Sequence, residues 1–214
     1  MKNNNLLLAF DTCLDKTYVV LRTEDEIISS DTISSNDKSY HSAYLISTIK
    51  NMLKASNITA KDIDAIAINV GPGSFTGIRA CTTVARVMAQ QIGCKAIGVS
   101  SLEILSRAKK DEYIVALDAR KNKTYYYDKK LYGAIDLEEA DKKIKGKKVI
   151  TDDRLIERFR GIADEVISYQ KSDFELGEIL SEIAIEKLKT EEGNWAKVLP
   201  LYIQPPPVTL SAKS

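Results

Sequence analysis

The sequence predicts an α/β protein built from one unit used twice, each copy running three strands, helix, strand, helix, strand. Two observations carry this. Apolar runs of strand length alternate with longer segments of helical period. An apolar run ending in aspartate also occurs at the head of each half, Leu8-Ala9-Phe10-Asp11 and then Val115-Ala116-Leu117-Asp118. The expectation is two subdomains, each a mixed β-sheet flanked by helices, over residues 1–108 and 109–204. The boundary falls near Lys109-Lys110-Asp111. Residues 205–214 open with Pro205-Pro206-Pro207 and are expected to leave the fold as an extended tail.

Taken in order, Leu6 to Phe10 reads as a strand buried on both faces. A turn at Leu14-Asp15-Lys16 leads to a strand from Tyr18 to Leu21. Polar Thr23-Glu24-Asp25 turns into a third strand, Ile27 to Ile33. Ser39 is the expected N-cap of a helix reaching Ala55. A strand over Ala65 to Val70 feeds a glycine-rich corner, then a helix from Thr76 to Gln91 and a short strand from Ala96 to Val99. Ser100 and Glu103 have capping-box spacing for another helix.

The second half opens with a strand from Ile114 to Leu117. A hairpin at Lys121-Asn122 returns through Thr124 to Tyr127, with Asn122 suited to positive φ. A polar helix from Leu137 to Ile144, a strand from Lys148 to Thr151 and a helix from Asp153 to Phe159 follow. A strand from Glu165 to Ser168 and a long helix from Asp173 to Lys189 close the set. That helix carries Leu176, Ile179, Leu180, Ile183 and Leu188 on one side.

Composition narrows the functional classes. Of 214 residues, 44% are hydrophobic and 29% charged, the values of a soluble globular protein. A net charge of +1 provides no electrostatic footprint for independent nucleic-acid binding. Lys142, Lys143, Lys145, Lys147 and Lys148 read as a solvated face rather than a backbone-contacting patch. Cys13, Cys81 and Cys94 show no C-x-x-C spacing, which argues for reduced thiols rather than a disulfide framework or a zinc site. The N-terminus lacks the apolar core of a signal peptide, and no apolar run approaches the ~18 residues of a membrane span. A cytoplasmic protein with no membrane partner is expected.

Two features carry functional content. The corner Gly71-Pro72-Gly73-Ser74-Phe75-Thr76-Gly77 stands between strand and helix. Such a loop either presents backbone N–H groups to an anion at a helix N-terminus or lets two backbones pack closely. Spacing favours the second, because no Gly-Lys-Ser/Thr ending follows. The second feature is a pair of helices with more apolar surface than a core needs. On the helix from Thr76, one stripe is Ile78, Cys81, Thr82, Ala85, Met88, Ala89 and Ile92. A second stripe is Ala80, Val84, Val87 and Gln91, edged by Arg79, Thr83, Arg86 and Gln90. On the helix before it, Leu45, Ile49, Met52 and Leu53 form a core stripe, flanked by His41, Tyr44, Thr48 and Ala55. A helix apolar around most of its circumference is buried within its own domain or covered by a partner. From the residues alone, the second stripes either pack on each other or meet another protein.

The eleven-residue stretch from Asn69 to Arg79 closely resembles the signature of the TsaB (YeaZ) family. Further resemblances are Leu8-Ala9-Phe10-Asp11-Thr12 to that family's LAIDTS strand, Ile97 to Leu102 to its IGVSTL, and Asp118-Ala119-Arg120 with Tyr125 to its DAR…VY hairpin. The likeness is dense to about residue 127, thins, and returns faintly at Pro200-Leu201-Tyr202. Cys13, Lys123 and Ile203-Gln204-Pro205 depart from the family pattern. The resemblance implies two ribonuclease-H-like subdomains of the actin/Hsp70/sugar-kinase (ASKHA) superfamily. It also implies a non-catalytic subunit for making threonylcarbamoyladenosine in tRNA, docked on a TsaD-like catalytic partner or on a second copy. A small TsaE-like ATPase resets the complex, and tRNA is met only through it. The contact residues so implied are His41, Tyr44, Thr48, Arg79, Ala80, Thr83, Val84, Arg86, Val87 and Gln91.

An enzyme of the same superfamily is the competing reading, a small-molecule kinase or ATPase using Asp11 and Asp118. The turns Thr12 to Thr17 and Arg120 to Lys123 contain no glycine, which obstructs a phosphate cradle. The single histidine, His41, has Leu45 one helical turn on, so the metal-binding His-x-x-x-His of TsaD-like subunits is missing. No catalytic residue, metal or cofactor is expected of the chain alone.

Overall fold

The computed structural model describes residues 5–34, 41–129 and 132–203. β1 (Leu7–Asp11) is buried at every position, as its unbroken apolar run requires of a strand covered on both faces. It lies at the centre of the first sheet, with antiparallel β2 (Thr17–Arg22) on one side and parallel β4 (Ala65–Asn69) on the other. β3 (Ile27–Ile33) and β5 (Lys95–Val99) complete the order β3-β2-β1-β4-β5. The second sheet holds β6 (Ile114–Asp118), β7 (Lys123–Tyr127), β8 (Tyr132–Asp136), β9 (Lys148–Thr151) and β10 (Glu165–Ser168), in the order β10-β9-β6-β7-β8. Numbered from the start of its own half, each sheet reads 3-2-1-4-5. The duplication predicted from the sequence is therefore a duplication of topology.

Alternation along β1 sorts the core into layers. Leu8 and Phe10 point outward with Val19 and Leu21, against α1 (His41–Ala55) and α2 (Phe75–Ile92), where Leu45, Ile49, Met52, Ile78, Cys81 and Ala85 meet them. Leu7 and Ala9 point the other way, with Tyr18 and Val20, onto α3 (Ser101–Ser106) and α6 (Leu176–Leu188). That inner core also takes in Val115, Leu117 and Ile150 of the second sheet, so α3 and α6 are shared between the halves. Gly177 permits this approach: a Cβ there would lie 2.8 Å from Tyr18 Cβ and 3.1 Å from Val20 Cγ2. Arg22 and Ser181 hydrogen-bond at 3.2 Å, and Lys187 pairs with Glu103 at 2.8 Å, tying α6 to β2 and to α3. The outer face of the second sheet is covered by α4 (Leu137–Ile144) and α5 (Ile156–Arg160) through Ala116, Tyr126, Val149 and Phe159.

After α6 the chain returns to the first sheet. A 3-10 turn, Trp195–Lys197, places Val198 in the outer core, and Leu201 N–H donates to Val70 O at 2.8 Å. Four details differ from expectation, the first being that α6 begins at Leu176 rather than Asp173. β8 was not placed individually by the sequence pattern. α5 begins at Ile156 rather than Asp153, because Asp152 takes the Arg154 N–H on its side chain and the Leu155 N–H on its carbonyl. The hairpin after β6 uses positive φ at Arg120, Lys121 and Asn122, not at Asn122 alone. The Ser39 cap and the Pro205-Pro206-Pro207 tail lie outside the described residues. Among the described residues, no helix is long and apolar enough to cross a membrane.

Candidate functional site

The glycine corner packs backbone on backbone. A Cβ at Gly77 would lie 1.9 Å from Thr12 O, and one at Gly73 would lie 2.3 Å from Cys13 O. Only glycine fits, because the turn after β1 presses directly on the start of α2. Ser74 N–H donates to Cys13 O at 2.7 Å, Thr12 Oγ1 donates to Gly77 O at 2.9 Å, and the Ser74 hydroxyl caps Gly77 N–H at 3.3 Å. Gly71 supplies a φ of 100° at the first bend. Its N–H donates to Asn69 Oδ1 at 2.8 Å, which also accepts from Ser101 Oγ at 2.9 Å.

The cleft between the halves, about 480 Å³, is walled by this corner and by both strand-end turns. Thr12, Cys13, Asp15, Ser74 and Thr76 line one side, and Asp118, Arg120, Asp152, Arg154, Tyr169 and Gln170 line the other. The two strand-end aspartates differ sharply. Asp11 is 1% exposed and is not part of the cleft wall. Its Oδ1 accepts from Cys13 N–H at 2.5 Å and its Oδ2 from Asn69 Nδ2 at 2.9 Å. Burial pushes its pKa up to about 6, against those two hydrogen bonds, which pull it down. Asp118 faces the cleft, accepting from Arg120 N–H at 2.9 Å and Arg154 Nη1 at 3.3 Å. Asp152, raised by burial, accepts from Asp118 N–H at 2.6 Å.

These bonds consume the donors an anion cradle would use. Thr12 N–H goes to Cys81 Sγ, Cys13 N–H to Asp11, Asp118 N–H to Asp152 and Arg120 N–H to Asp118. A phosphate at either turn would have to displace an existing partner. The kinase or ATPase reading, which needs Asp11 beside a metal in the cleft, is not favoured by this arrangement.

The paired helices present a different surface. On α2, Ile78, Cys81, Thr82, Ala85 and Ala89 are buried, as the first stripe predicts. Of the second stripe, Ala80 and Val84 are half-buried, Gln91 is exposed and Val87 is 54% exposed. Thr83 and Arg79 are exposed as well, while Thr48 is half-buried. Tyr44 on α1 is 50% exposed. His41 opens α1, but its side chain lies outside the described residues. The two arginines expected at a rim lie over rings of their own chain, Arg79 at 5.4 Å from Phe75 and Arg86 at 5.8 Å from Trp195. Phe75 stacks in turn on Tyr202 at 5.5 Å, and both rings are nearly half exposed.

Sequence reasoning missed an apolar groove on these helices. Ile46, 65% exposed, begins an apolar groove of about 520 Å³ with Ile49, Leu53, Ile58 and Met88, rimmed by Lys50 and Lys54. The signal was there: Ile46 is an isoleucine out of register with the stripe Leu45, Ile49, Met52, Leu53.

Comparison with known proteins follows the same line. Residues 27–177 match the family model described as TsaD, tRNA N6-adenosine threonylcarbamoyltransferase. The tRNA threonylcarbamoyladenosine biosynthesis protein TsaB of Buchnera aphidicola subsp. Schizaphis graminum is 31% identical over 128 residues, 58% of this chain and 60% of that protein. TsaB of Bacillus subtilis is 30% identical over 100 residues, 47% of this chain and 43% of that one. TsaB of Escherichia coli is 27% identical over 125 residues, covering 56% and 53%. The chain thus spans about two-fifths to three-fifths of the length of these curated relatives. YeaZ from Pseudomonas aeruginosa superposes with a TM-score of 0.71 at 22% identity, over 92% of this chain and 99% of that one, which establishes the fold.

Proposed function

This chain belongs to the family described as TsaD, tRNA N6-adenosine threonylcarbamoyltransferase, and we propose that within it the chain is a non-catalytic docking subunit. Its partner is a TsaD-like subunit that transfers the threonylcarbamoyl group to the adenosine beside the anticodon of tRNA. The relatives named TsaB support the pathway. The observation that carries the docking role is the apolar groove on α1 and α2, lined by Ile46, Ile49, Leu53, Ile58 and Met88, with Tyr44 and Val87 exposed elsewhere on the same two helices. Isolated exposed hydrophobics need no explanation, but an open apolar groove on two packed helices marks a contact surface.

The mechanism is one of binding energy. Covering such a face on a partner holds that partner in the conformation the face fits, by as much as the affinity differs between its states. The rim is supplied by Thr48, Ala80, Thr83, Val84 and Gln91, with Arg79 and Arg86 keeping Phe75 and Trp195 in place. A second copy of the chain occupies the same face when the partner is absent. A TsaE-like ATPase and tRNA meet the assembly rather than this chain alone, and the site of action is the cytoplasm.

Reconstitution tests the reading. With the TsaD homologue, the synthase that makes the adenylate, ATP, threonine, bicarbonate and tRNA, modification should require this chain. The Val87→Glu chain should fail to support modification while keeping its fold, since Val87 is exposed; Val84→Glu acts on the same stripe from a half-buried position. Modification that proceeds equally without the chain would end the proposal.

A further inference from the structure

Beside the glycine corner, and independent of the docking surface, lies a second constellation. Asp11, Cys13 and Cys81 are all buried, and their carboxylate and thiol ligand atoms lie within 4.8 Å of one another. The hydrogen-bond donors to Asp11 are neutral groups, Cys13 and Asn69, and burial of a carboxylate without a counter-charge is costly. Two sulfurs and a carboxylate without a counter-charge make an incomplete set of ligands. We propose that Asp11, Cys13 and Cys81 form a buried binding site for a zinc ion, joining the turn after β1 to α2.

The donor chemistry fits. Zn²⁺ takes thiolate and carboxylate ligands in a tetrahedron, and soft thiolates select it against Mg²⁺ or Ca²⁺. Bonds of about 2.3 Å to sulfur and about 2.1 Å to oxygen place tetrahedral ligands roughly 3.6 to 3.8 Å apart, so contraction by about 1 Å at most closes the site. The fourth position has a candidate in Thr12 Oγ1, which lies 3.1 Å from Cys81 Sγ. Outer partners already orient the ligands: Thr12 N–H donates to Cys81 Sγ, while Cys13 N–H and Asn69 Nδ2 fix the carboxylate. The thiol protons leave on binding, including the one Cys13 Sγ now donates to Asn69 O at 3.1 Å. Thr12 and Cys13 form part of the cleft wall, which gives the ion an approach. Sequence spacing conceals all of this, because Cys13 and Cys81 stand far apart along the chain.

The test uses the full chain, reduced by a phosphine, stripped of metal and titrated with Co²⁺. The expected result is one cobalt per chain, with a thiolate-to-cobalt charge-transfer band and tetrahedral ligand-field absorption, both displaced by Zn²⁺. Cys13→Ser and Cys81→Ala should each remove the charge-transfer band, and Cys94→Ser should leave it. X-ray absorption at the zinc edge of the wild-type protein needs no variant and should count two sulfurs per ion. A folded, reduced chain without the cobalt–thiolate band overturns the proposal. So does a band that survives the Cys13→Ser/Cys81→Ala double variant, or zinc bound without sulfur.

Discussion

Replacing Gly77 by alanine puts one methyl group where the structure has none to spare. The added Cβ would sit 1.9 Å from Thr12 O and 2.7 Å from Thr12 C, both backbone atoms that no rotamer change can move aside. Relief requires the turn after β1 to withdraw by more than an ångström from α2. That movement stretches three hydrogen bonds: Thr12 Oγ1 to Gly77 O, Ser74 N–H to Cys13 O, and Thr12 N–H to Cys81 Sγ. At about 1 kcal/mol net for each bond, with a further 1 to 3 kcal/mol of overpacking strain, the cost is roughly 4 to 6 kcal/mol. Against a typical stability of about 5 to 15 kcal/mol that is a large fraction. Urea denaturation measures it, with Gly161→Ala as the control: nothing lies within 4 Å of a Cβ there, and φ is −83°. The control should stay within about 0.5 kcal/mol of wild type. If Gly77→Ala were to fall within about 1 kcal/mol of that control, with an unchanged denaturant slope, the backbone-on-backbone corner would be wrong.

Asp11 predicts a pH dependence. Its folded pKa of about 6 lies above the unfolded 3.8, so the native state holds the proton more tightly. Its contribution is therefore most favourable below pH 3.8 and is lost as pH rises to 6, by about 3 kcal/mol. In metal-free protein, Asp11→Asn should gain stability relative to wild type across that window; a gain as pH falls would contradict the assignment. Part of the benefit disappears because the new amide faces Asn69 Nδ2, donor against donor. On the inner layer, Gly177→Ala drives a Cβ to 2.8 Å from Tyr18 Cβ. It should cost about 1 to 3 kcal/mol by thermal unfolding, and a neutral result would mean that α6 does not seat on β2 as closely as described.

The fold was legible because strand burial and helix period are local signals. β1 and β6 announce themselves by apolar runs ending in Asp11 and Asp118, and the shared topology follows from repetition. What the sequence did not reveal is long-range. That α6 lies against β1 and β2 depends on how the halves close, that Cys81 meets Cys13 depends on how α2 packs on the turn after β1, and no spacing rule encodes either. Asp11 and Asp118 look equivalent in sequence, yet one is buried under Asn69 and the other faces the cleft between two arginines. The buried stripe of α2 was read correctly from its period. Arg79 and Arg86 were expected at a rim, but Phe75 and Trp195 draw them onto their own chain. Ile46 was passed over because its neighbour Leu45 fits the core stripe.

If this molecule acts by docking through α1 and α2, sedimentation of the chain mixed with the threonylcarbamoyltransferase homologue of the same organism reads that docking without any intermediate step. A one-to-one complex is predicted for the wild type, lost with Ile46→Glu and Val87→Glu while the variants keep native unfolding transitions. A complex that forms undiminished with both glutamates in place, or none with the wild type, would contradict it.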